Sequence, residues 1–388
     1  MSKAFIATTI WVCTIILMSA CEQQTKKYNR IGKKLYTMQE LAHKTFHLDD
    51  STTQVLEYVQ TYIEHDSLKL ALYNKPVKNI CIFDVKSGKA IDKIQLHKEG
   101  PHAINNNIMG FLYINRDSTY LYDYWSRKLL LVNHKGEIVN TDELASMLLP
   151  NSDDNIVKAY PLPTTSTPIC KVGDNIILQG ESGKRLESMT TTEEFVTALY
   201  NIKKKTIKFA NTYTPVYGDL KTNAWHTFGY LVVPYCLNNK QEMAISFPAD
   251  DSISIYNIDA DQIKRYFAGY STAKTSKPAG ANTMGEIAKH YWSQTQYTGI
   301  YYDKWNNLYY RIVAQPTSDY NINSKKNPVK DLSIVILDTY YNKVGEYDVK
   351  ESTNLFTHTF VSPEGLHINV LSDDDDYLTF LTLKPVKL

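Results

Sequence analysis

A strand, a turn and a second strand are predicted by the consecutive stretches Ile80-Cys81-Ile82-Phe83-Asp84, Ser87-Gly88 and Ala90-Ile91-Asp92-Lys93-Ile94. Apolar and β-branched residues dominate both strands, which is typical of strands with a buried face. Asp84 ends the first strand, and an Asp side chain there can accept hydrogen bonds from the following backbone amides and start a turn. This part of the chain therefore predicts a β-hairpin.

The same unit recurs along the chain, and repetition of this kind is typical of repeat architectures. Its first strand reaches an anchor position in each of six copies, at Asp84, Asn133, Asn201, Asn257, Asp338 and Thr382. The mean spacing is roughly 60 residues, which is enough for four strands and their loops. A four-stranded unit repeated radially is a propeller blade, so we predict an all-β fold, a six-bladed β-propeller. A two-sheet sandwich array would explain the alternation equally well.

The two ends of the chain favour the propeller. The sixth copy lacks room for a full outer strand because the chain stops at Leu388. An orphan strand candidate, Lys44-Thr45-Phe46-His47-Leu48, precedes the first copy. An exposed sheet edge invites unwanted pairing. We therefore predict that this N-terminal strand closes the last blade, an arrangement that a sandwich array does not explain.

The N-terminus has the order of a secretory signal, with Lys3 followed by an uncharged stretch and small residues. The segment Leu17-Met18-Ser19-Ala20-Cys21 resembles a bacterial lipoprotein box, although Met18 departs from the commoner Leu. We predict a lipoprotein signal peptide at residues 1–20 and lipidation of Cys21. The alternative is an uncleaved N-terminal anchor with a chance cysteine.

The predicted lipid makes the membrane the first partner of this chain. Residues 21–36 are polar and basic without apolar periodicity, and we interpret them as a flexible tether. Residues 37–388 then form the propeller. Only Glu22 is acidic immediately after the cysteine, so we expect the periplasmic face of the outer membrane, with the cell surface as the alternative.

Composition limits the other partners. The chain is 43% hydrophobic and 21% charged, which excludes disordered, collagenous and coiled-coil proteins. The net charge of +1 falls to zero once Lys3 is removed with the signal, so we expect no nucleic-acid partner. The cysteines after the lipid box, Cys81, Cys170 and Cys236, lie in apolar contexts and have no CxxC spacing. We expect buried thiols, although an oxidising compartment would permit one disulfide.

Two stretches carry a family resemblance. Glu99-Gly100-Pro101, with the hairpin before it, resembles the six-bladed propeller lipoproteins of Bacteroidetes. The stretch Tyr302-Asp303-Lys304-Trp305-Asn306-Asn307-Leu308-Tyr309-Tyr310-Arg311 is similar to the signature of an uncharacterised branch, domain-of-unknown-function family 4221. The likeness covers roughly residues 37–388. It implies a propeller shape and an envelope location, and the family has no established activity to transfer.

Standard catalytic signatures are missing from the sequence. There is no GxSxG, HExxH or GxxxxGK[ST] motif, and we expect no catalytic residues, cofactor or metal site. The acidic run Asp373-Asp374-Asp375-Asp376 is interpreted as a solvated turn between two strands of the last blade. A calcium-binding loop is the alternative, but neighbouring side chains on one strand point apart.

Candidate ligand-binding residues come from the places where a propeller exposes polar groups. A long insertion contains Met284 to Trp292, predicted to form one short helix, and His290, Tyr291 and Trp292 could present an aromatic platform. The remaining candidates lie on or beside strands that we expect near the channel or at blade junctions; they are Glu99, His102, Trp225, His226, Asp303, Arg311 and His358. Such residues also hold blades together through hydrogen bonds.

The sequence therefore favours a cell-envelope lipoprotein whose propeller binds or scaffolds a protein, peptide or glycan. The alternative is an envelope enzyme, a glycan lyase or hydrolase, with its site at the channel mouth. Since glycosidases need paired carboxyls at a set separation, sequence alone leaves both hypotheses open.

Overall fold

The structure is a computed structural model of the 388-residue chain. It describes residues 34–54, 56–104, 107–148, 158–181, 195–218, 225, 227–279, 283–317, 329–350, 353 and 356–388. The predicted signal peptide, Cys21 and most of the predicted tether lie outside these residues. Tyr36, which we had assigned to the tether, already belongs to the first strand.

Antiparallel sheets in chain order make up most of the fold. The N-terminal strand is β1 (Tyr36–His47). The first two four-stranded sheets contain β2 (Tyr58–Glu64), β3 (Ser67–Asn74), β4 (Asn79–Asp84) and β5 (Ala90–Gln95), and then β6 (Ile108–Asn115), β7 (Ser118–Asp123), β8 (Lys128–Val132) and β9 (Ile138–Glu143). A five-stranded sheet follows, with β10 (Tyr160–Pro161), β11 (Cys170–Val172), β12 (Asn175–Glu181), β13 (Phe195–Asn201) and β14 (Thr206–Thr212).

The C-terminal half continues in the same way. One more four-stranded sheet contains β15 (Tyr235–Leu237), β16 (Met243–Ser246), β17 (Ser252–Asn257) and β18 (Gln262–Phe267). The remaining strands are β19 (Gln296–Asp303), β20 (Leu308–Ala314), β21 (Leu332–Asp338), β22 (Lys343–Asp348), β23 (Thr359–Ser362), β24 (Gly365–Val370) and β25 (Tyr377–Lys387). The helices are α1 (Ala145–Leu148), a 3₁₀ turn (Pro215–Tyr217), α2 (Thr227–Tyr230) and α3 (Met284–Ser293).

The repeated Asp and Asn residues start the turns between third and fourth strands, as the sequence pattern predicts. In each hairpin a side-chain oxygen of the anchor residue accepts a hydrogen bond from a backbone amide two or three residues later. These bonds are Asp84 with Ser87 (2.8 Å), Asn133 with Lys135 (3.0 Å), Asn201 with Lys204 (2.8 Å), Asn257 with Ala260 (2.8 Å) and Asp338 with Tyr340 (2.8 Å). The local turn chemistry therefore marks the repeat.

The N-terminal strand pairs with the C-terminal strand. β1 runs antiparallel to β25 from Tyr36 opposite Lys387 to His47 opposite Tyr377, with an irregularity between Leu41 and Lys44. It is longer than the predicted strand at residues 44–48. β1 therefore forms the outer strand beside β25.

The number of separate sheets differs from the six that we predicted. β1 also pairs in parallel with β22 through Tyr36 and Gly345, so β19 to β22, β1 and β23 to β25 form one eight-stranded sheet. A side chain at Gly345 would place its Cβ 2.3 Å from the Tyr36 carbonyl oxygen, so glycine allows this approach. The observed fold is an all-β, propeller-like arrangement of four separate sheets and one eight-stranded sheet.

Apolar side chains fill the space between each group of strands and the next. Between the first and last groups, the Phe46 ring of β1 contacts Phe83 and Phe380 edge-on, with 5.7 Å between ring centroids in each pair. Phe46 and Phe380 are 0% exposed. Burial of apolar area contributes roughly 25 cal/mol per Å², so these layers supply most of the stabilisation.

The helix predicted around Met284 to Trp292 is confirmed as α3. Thr283 caps the helix. Its hydroxyl accepts a hydrogen bond from the Glu286 amide at 3.3 Å, and the Glu286 carboxylate accepts one from the Thr283 amide at 3.3 Å. This reciprocal capping box satisfies two amides that have no partner inside the helix.

Gly136 lies in the turn between β8 and β9 with a φ of +75°, and a Cβ there would lie 2.0 Å from the Gln95 carbonyl oxygen of β5. We expect Gly136→Ala to lower the free energy of unfolding by roughly 3 kcal/mol, because strain at positive φ and the clash between sheets add together. The control is Gly173→Ala, at φ +56° with no atom within 4 Å, which should cost only about 1 kcal/mol. Urea denaturation measures both, and equal losses would contradict the inter-sheet contact.

His367 of β24 is 0% exposed, and its Nε2 and Nδ1 atoms lie 2.7 Å from Ser362 Oγ and 3.1 Å from Thr382 Oγ1. Burial, with a smaller effect from the Lys44 charge, lowers the pKa of His367 to about 3. In the unfolded chain the imidazole of His367 binds a proton below its ordinary pKa near 6.5. The contribution of His367 to folding stability is therefore fully present above that pH and falls as the pH decreases towards 3.

Between pH 7 and pH 5 we expect the wild-type protein to lose roughly 2 kcal/mol more unfolding free energy than His367→Gln does. Urea denaturation at both pH values gives the unfolding free energy of each protein. The same pH dependence in the wild type and in His367→Gln would exclude a neutral buried imidazole.

Candidate functional site

The first strands of successive sheets gather around a common axis. β15 neighbours β19, β19 neighbours β23, and β23 neighbours β2, which in turn neighbours β6. The third sheet joins them through hydrogen bonds from the Val59 amide to Thr165 Oγ1 (3.1 Å) and from the Tyr235 amide to the Ser166 carbonyl (3.0 Å). Two cavities lie among these strands, one towards each end, and Thr165 lines both.

The first cavity, named here the His358 cavity, lies where the first strands begin. It has a volume of about 370 Å³. Glu57 precedes β2, Pro234 precedes β15 and His358 precedes β23, and all three line it. The other lining residues are Thr164, Thr165, Ser166, Gly229, Val232, Pro248, Tyr291, Thr298, Phe356 and Thr357. The wall therefore combines the apolar residues Val232, Pro234, Pro248 and Phe356 with several polar side chains, in a cavity of a size typical of ligand-binding pockets.

Two polar atoms of this wall have no hydrogen-bond partner within the part of the chain that the structure describes. They are His358 Nδ1 and Thr298 Oγ1, and both are buried. Burial lowers the pKa of His358, although the Glu57 carboxylate and a hydrogen bond to the Glu57 backbone oppose this shift. The imidazole is therefore neutral at pH 7, and the Thr298 hydroxyl lines the same cavity. A buried polar group without a partner costs about 1–3 kcal/mol, so a bound group that satisfied it would be favoured.

Helix α3 supplies Tyr291 to the wall of the His358 cavity. Lys330 fixes the end of the helix, because its Nζ donates to the Tyr291 carbonyl (2.9 Å), the Gln294 carbonyl (2.6 Å) and Gln296 Oε1. Burial lowers the pKa of Lys330 to about 7, while these three acceptors hold the amine in place. Lys330 is a positioning residue here.

The second cavity, named the Lys304 cavity, lies where the first strands end and has a volume of about 360 Å³. It is lined by late residues of those strands, including Tyr62 and Ile63 of β2, Leu237 of β15 and Tyr302 of β19. Val59, Tyr301, Phe360 and Val361 form buried parts of the wall, whereas Lys304 and Trp305 lie in the exposed turn after β19.

The structure brings two of the predicted ligand-binding residues together, Tyr291 and His358, in the His358 cavity. His290 and Trp292, which adjoin Tyr291 in sequence, do not line it. His290 Nε2 lies 2.6 Å from the Lys277 carbonyl oxygen, and the Trp292 ring packs edge-on against Tyr291. Successive residues point in different directions on a helix, so the predicted three-residue aromatic platform is not assembled.

Three predicted residues belong to the interior. Trp225 does not lie on a strand; it precedes α2, is 2% exposed and donates through Nε1 to the Tyr217 carbonyl at 2.9 Å. Asp303 is 0% exposed. Its carboxylate accepts hydrogen bonds from the Tyr310 hydroxyl at 2.6 Å and from the backbone amides of Trp305 and Asn306 in the turn.

Arg311 of β20 is also 0% exposed and joins its own strand to the preceding sheet. Its guanidinium donates to Ser246 Oγ at 2.9 Å, the Ala268 carbonyl at 3.1 Å and the Asp250 carbonyl at 2.5 Å. The same group lies 3.6 Å from the Tyr297 ring centroid. Arg311 therefore stabilises a sheet junction, the alternative role considered for such residues.

The other predicted residues lie away from both cavities or outside the described chain. Glu99 is exposed, and His102 Nδ1 accepts the Ile138 amide at 3.1 Å between the first two sheets. His226 and Cys21 lie outside the described residues. Thr298 and Lys304 were missed as site residues. Lys304 belongs to the stretch that resembles the family signature, and Thr298 carries no local signal because its position on the axis depends on the assembled ring.

Comparison with known proteins places the chain in a family. The family model described as Domain of unknown function (DUF4221) matches residues 36–348. The chain belongs to the DUF4221 family. The resemblance noted in the sequence is thereby confirmed. No curated protein matches this DUF4221 chain.

Solved structures share its fold. A DUF4221 family member from Bacteroides vulgatus is 20% identical, with 92% of this chain and 100% of that chain covered and a TM-score of 0.77. A protein from Bacteroides fragilis described as exported is 11% identical, with 92% and 97% covered and a TM-score of 0.56. In the described part of this DUF4221 protein, no helix has the length and apolar character required to span a bilayer.

Proposed function

We propose that this DUF4221 protein is a lipid-anchored binding module of the bacterial cell envelope, placed on the periplasmic side of the outer membrane. The lipoprotein-box pattern ending at Cys21 and the structurally similar Bacteroides fragilis protein that is described as exported support the location. We further propose that the eight-stranded sheet represents two blades joined through the single Tyr36–Gly345 pair, which makes six blades in all. Six buried apolar clusters among the described residues support that count.

The His358 cavity is the proposed binding site for a peptide or glycan segment. The observation that carries this proposal is that two buried polar atoms without a hydrogen-bond partner in the described chain, His358 Nδ1 and Thr298 Oγ1, line the same cavity. A ligand N–H or O–H donor would satisfy the imidazole nitrogen, and the Thr298 hydroxyl would complement a second polar group. Tyr291 and Phe356 would cover the apolar part of the ligand.

An enzymatic role as a glycan lyase or hydrolase at the channel mouth is the less favoured alternative. Glycosidases require two facing carboxyl groups, and Glu57 is the one carboxyl residue lining either cavity within the described chain. This observation favours ligand binding, which does not require a second carboxyl group.

Replacing Thr298 tests the site, because Thr298→Val keeps the shape of the side chain and removes the unpartnered hydroxyl. Thermal-shift titration with neutral disaccharides and acetylated dipeptide amides should yield a ligand whose affinity falls about tenfold in Thr298→Val. The unliganded variant should be as stable as the wild type or more so. Thr61→Val, in the Lys304 cavity, is the matched control. Equal affinity in the three proteins, or no binding by either probe class, would refute this site.

Anchoring is tested separately with Cys21→Ala, which should move the protein from the membrane fraction to the soluble fraction, because the acyl chains supply its membrane affinity. Cys236→Ser should remain in the membrane fraction. Protease treatment of intact cells should leave the wild-type protein undigested if it faces the periplasm. Retention of Cys21→Ala in membranes would rule out the lipid anchor, and digestion would indicate the cell surface.

A further inference from the structure

The Lys304 cavity combines buried apolar residues and uncharged polar side chains with a single charge. Lys304 is the one charged residue among the described residues that line it. Buried wall residues include Val59, Phe360 and Val361, which are 2%, 4% and 8% exposed. A volume of about 360 Å³ lies within the range of small-molecule sites. The cavity is therefore suited to a ligand with one apolar part.

The charge of Lys304 has no carboxylate partner within ion-pair distance in the described chain. The preceding residue, Asp303, is turned into the interior, where it accepts the Tyr310 hydroxyl and the Trp305 and Asn306 amides. Lys304 instead lies beside the Trp305 ring, with 5.0 Å between Nζ and the ring centroid. Partial burial lowers the pKa of Lys304, so a bound anion would favour the charged amine.

We propose that the Lys304 cavity binds a fatty carboxylate, whose carboxylate group pairs with Lys304 beside Trp305 and whose apolar chain extends into the cavity among its apolar wall residues. This site lies at the opposite end of the first strands from the His358 cavity and does not depend on it. Charge complementarity fixes the polarity of the ligand, since an ammonium at the opening and apolar walls below fit an amphipathic anion.

Decanoate is the probe, titrated into the purified mature chain by isothermal calorimetry, with decanol and decyltrimethylammonium as uncharged and cationic counterparts. Decanoate should bind at least tenfold more tightly than either. Lys304→Met should lose about tenfold in decanoate affinity, whereas Lys304→Arg should retain most of it. Lys98→Met removes an exposed charge that does not line the cavity and should leave the affinity unchanged.

The direction of the bound chain gives a second readout. 2-Bromodecanoate should quench Trp305 emission more strongly than 10-bromodecanoate, because the carboxylate end lies beside that ring. Trp305→Phe identifies the Trp305 contribution to the emission. Decanol binding as tightly as decanoate, unchanged affinity in Lys304→Met, absence of decanoate binding, or stronger quenching by the 10-bromo compound would each overturn the proposal. Thr298→Val should not alter decanoate binding, which separates this site from the proposed peptide or glycan site.

Discussion

The pairing of β1 with β25 is the interaction on which the rest of the structure depends. Each group of strands is covered by its neighbours in the chain, but the first and last groups have no sequential neighbour on one side. β1 carries the Phe46 ring into that gap and supplies the hydrogen-bonding partner for β25. Residues separated by most of the chain thus complete one apolar layer, and the axial cavities exist because the ring of first strands is held together.

Features encoded by neighbouring residues could be predicted from the sequence, and features created by long-range assembly could not. Asp84 and Asn201 start turns through bonds to amides two or three residues away, so their pattern is legible locally. The merging of two strand groups depends on one pair, Tyr36 with Gly345, whose members lie at opposite ends of the chain. Trp225 resembled a strand residue by its local context, yet it lies in the apolar core before α2.

The candidate site shows the same division. Sequence identified Tyr291 and His358 by residue type, and the ring of strands brought them to one cavity. It also grouped Tyr291 with His290 and Trp292, which helical geometry separates. Asp303 and Lys304 are adjacent in sequence but face different environments, since one is buried in a turn and the other lies at a cavity opening. That separation leaves a positive charge beside apolar walls.

The direction of β1 gives the molecule a definite sidedness. Its first residue, Tyr36, lies opposite Lys387, at the end of the strands where the Lys304 cavity is located. Leu35, the residue before β1, is held on that side by hydrogen bonds with Val344 (2.7 Å) and Leu388 (2.9 Å). The Lys304 cavity therefore lies on the side of the body from which the chain enters β1, and the His358 cavity lies on the opposite side. The two faces of the ring are therefore not equivalent with respect to the N-terminal part of the chain.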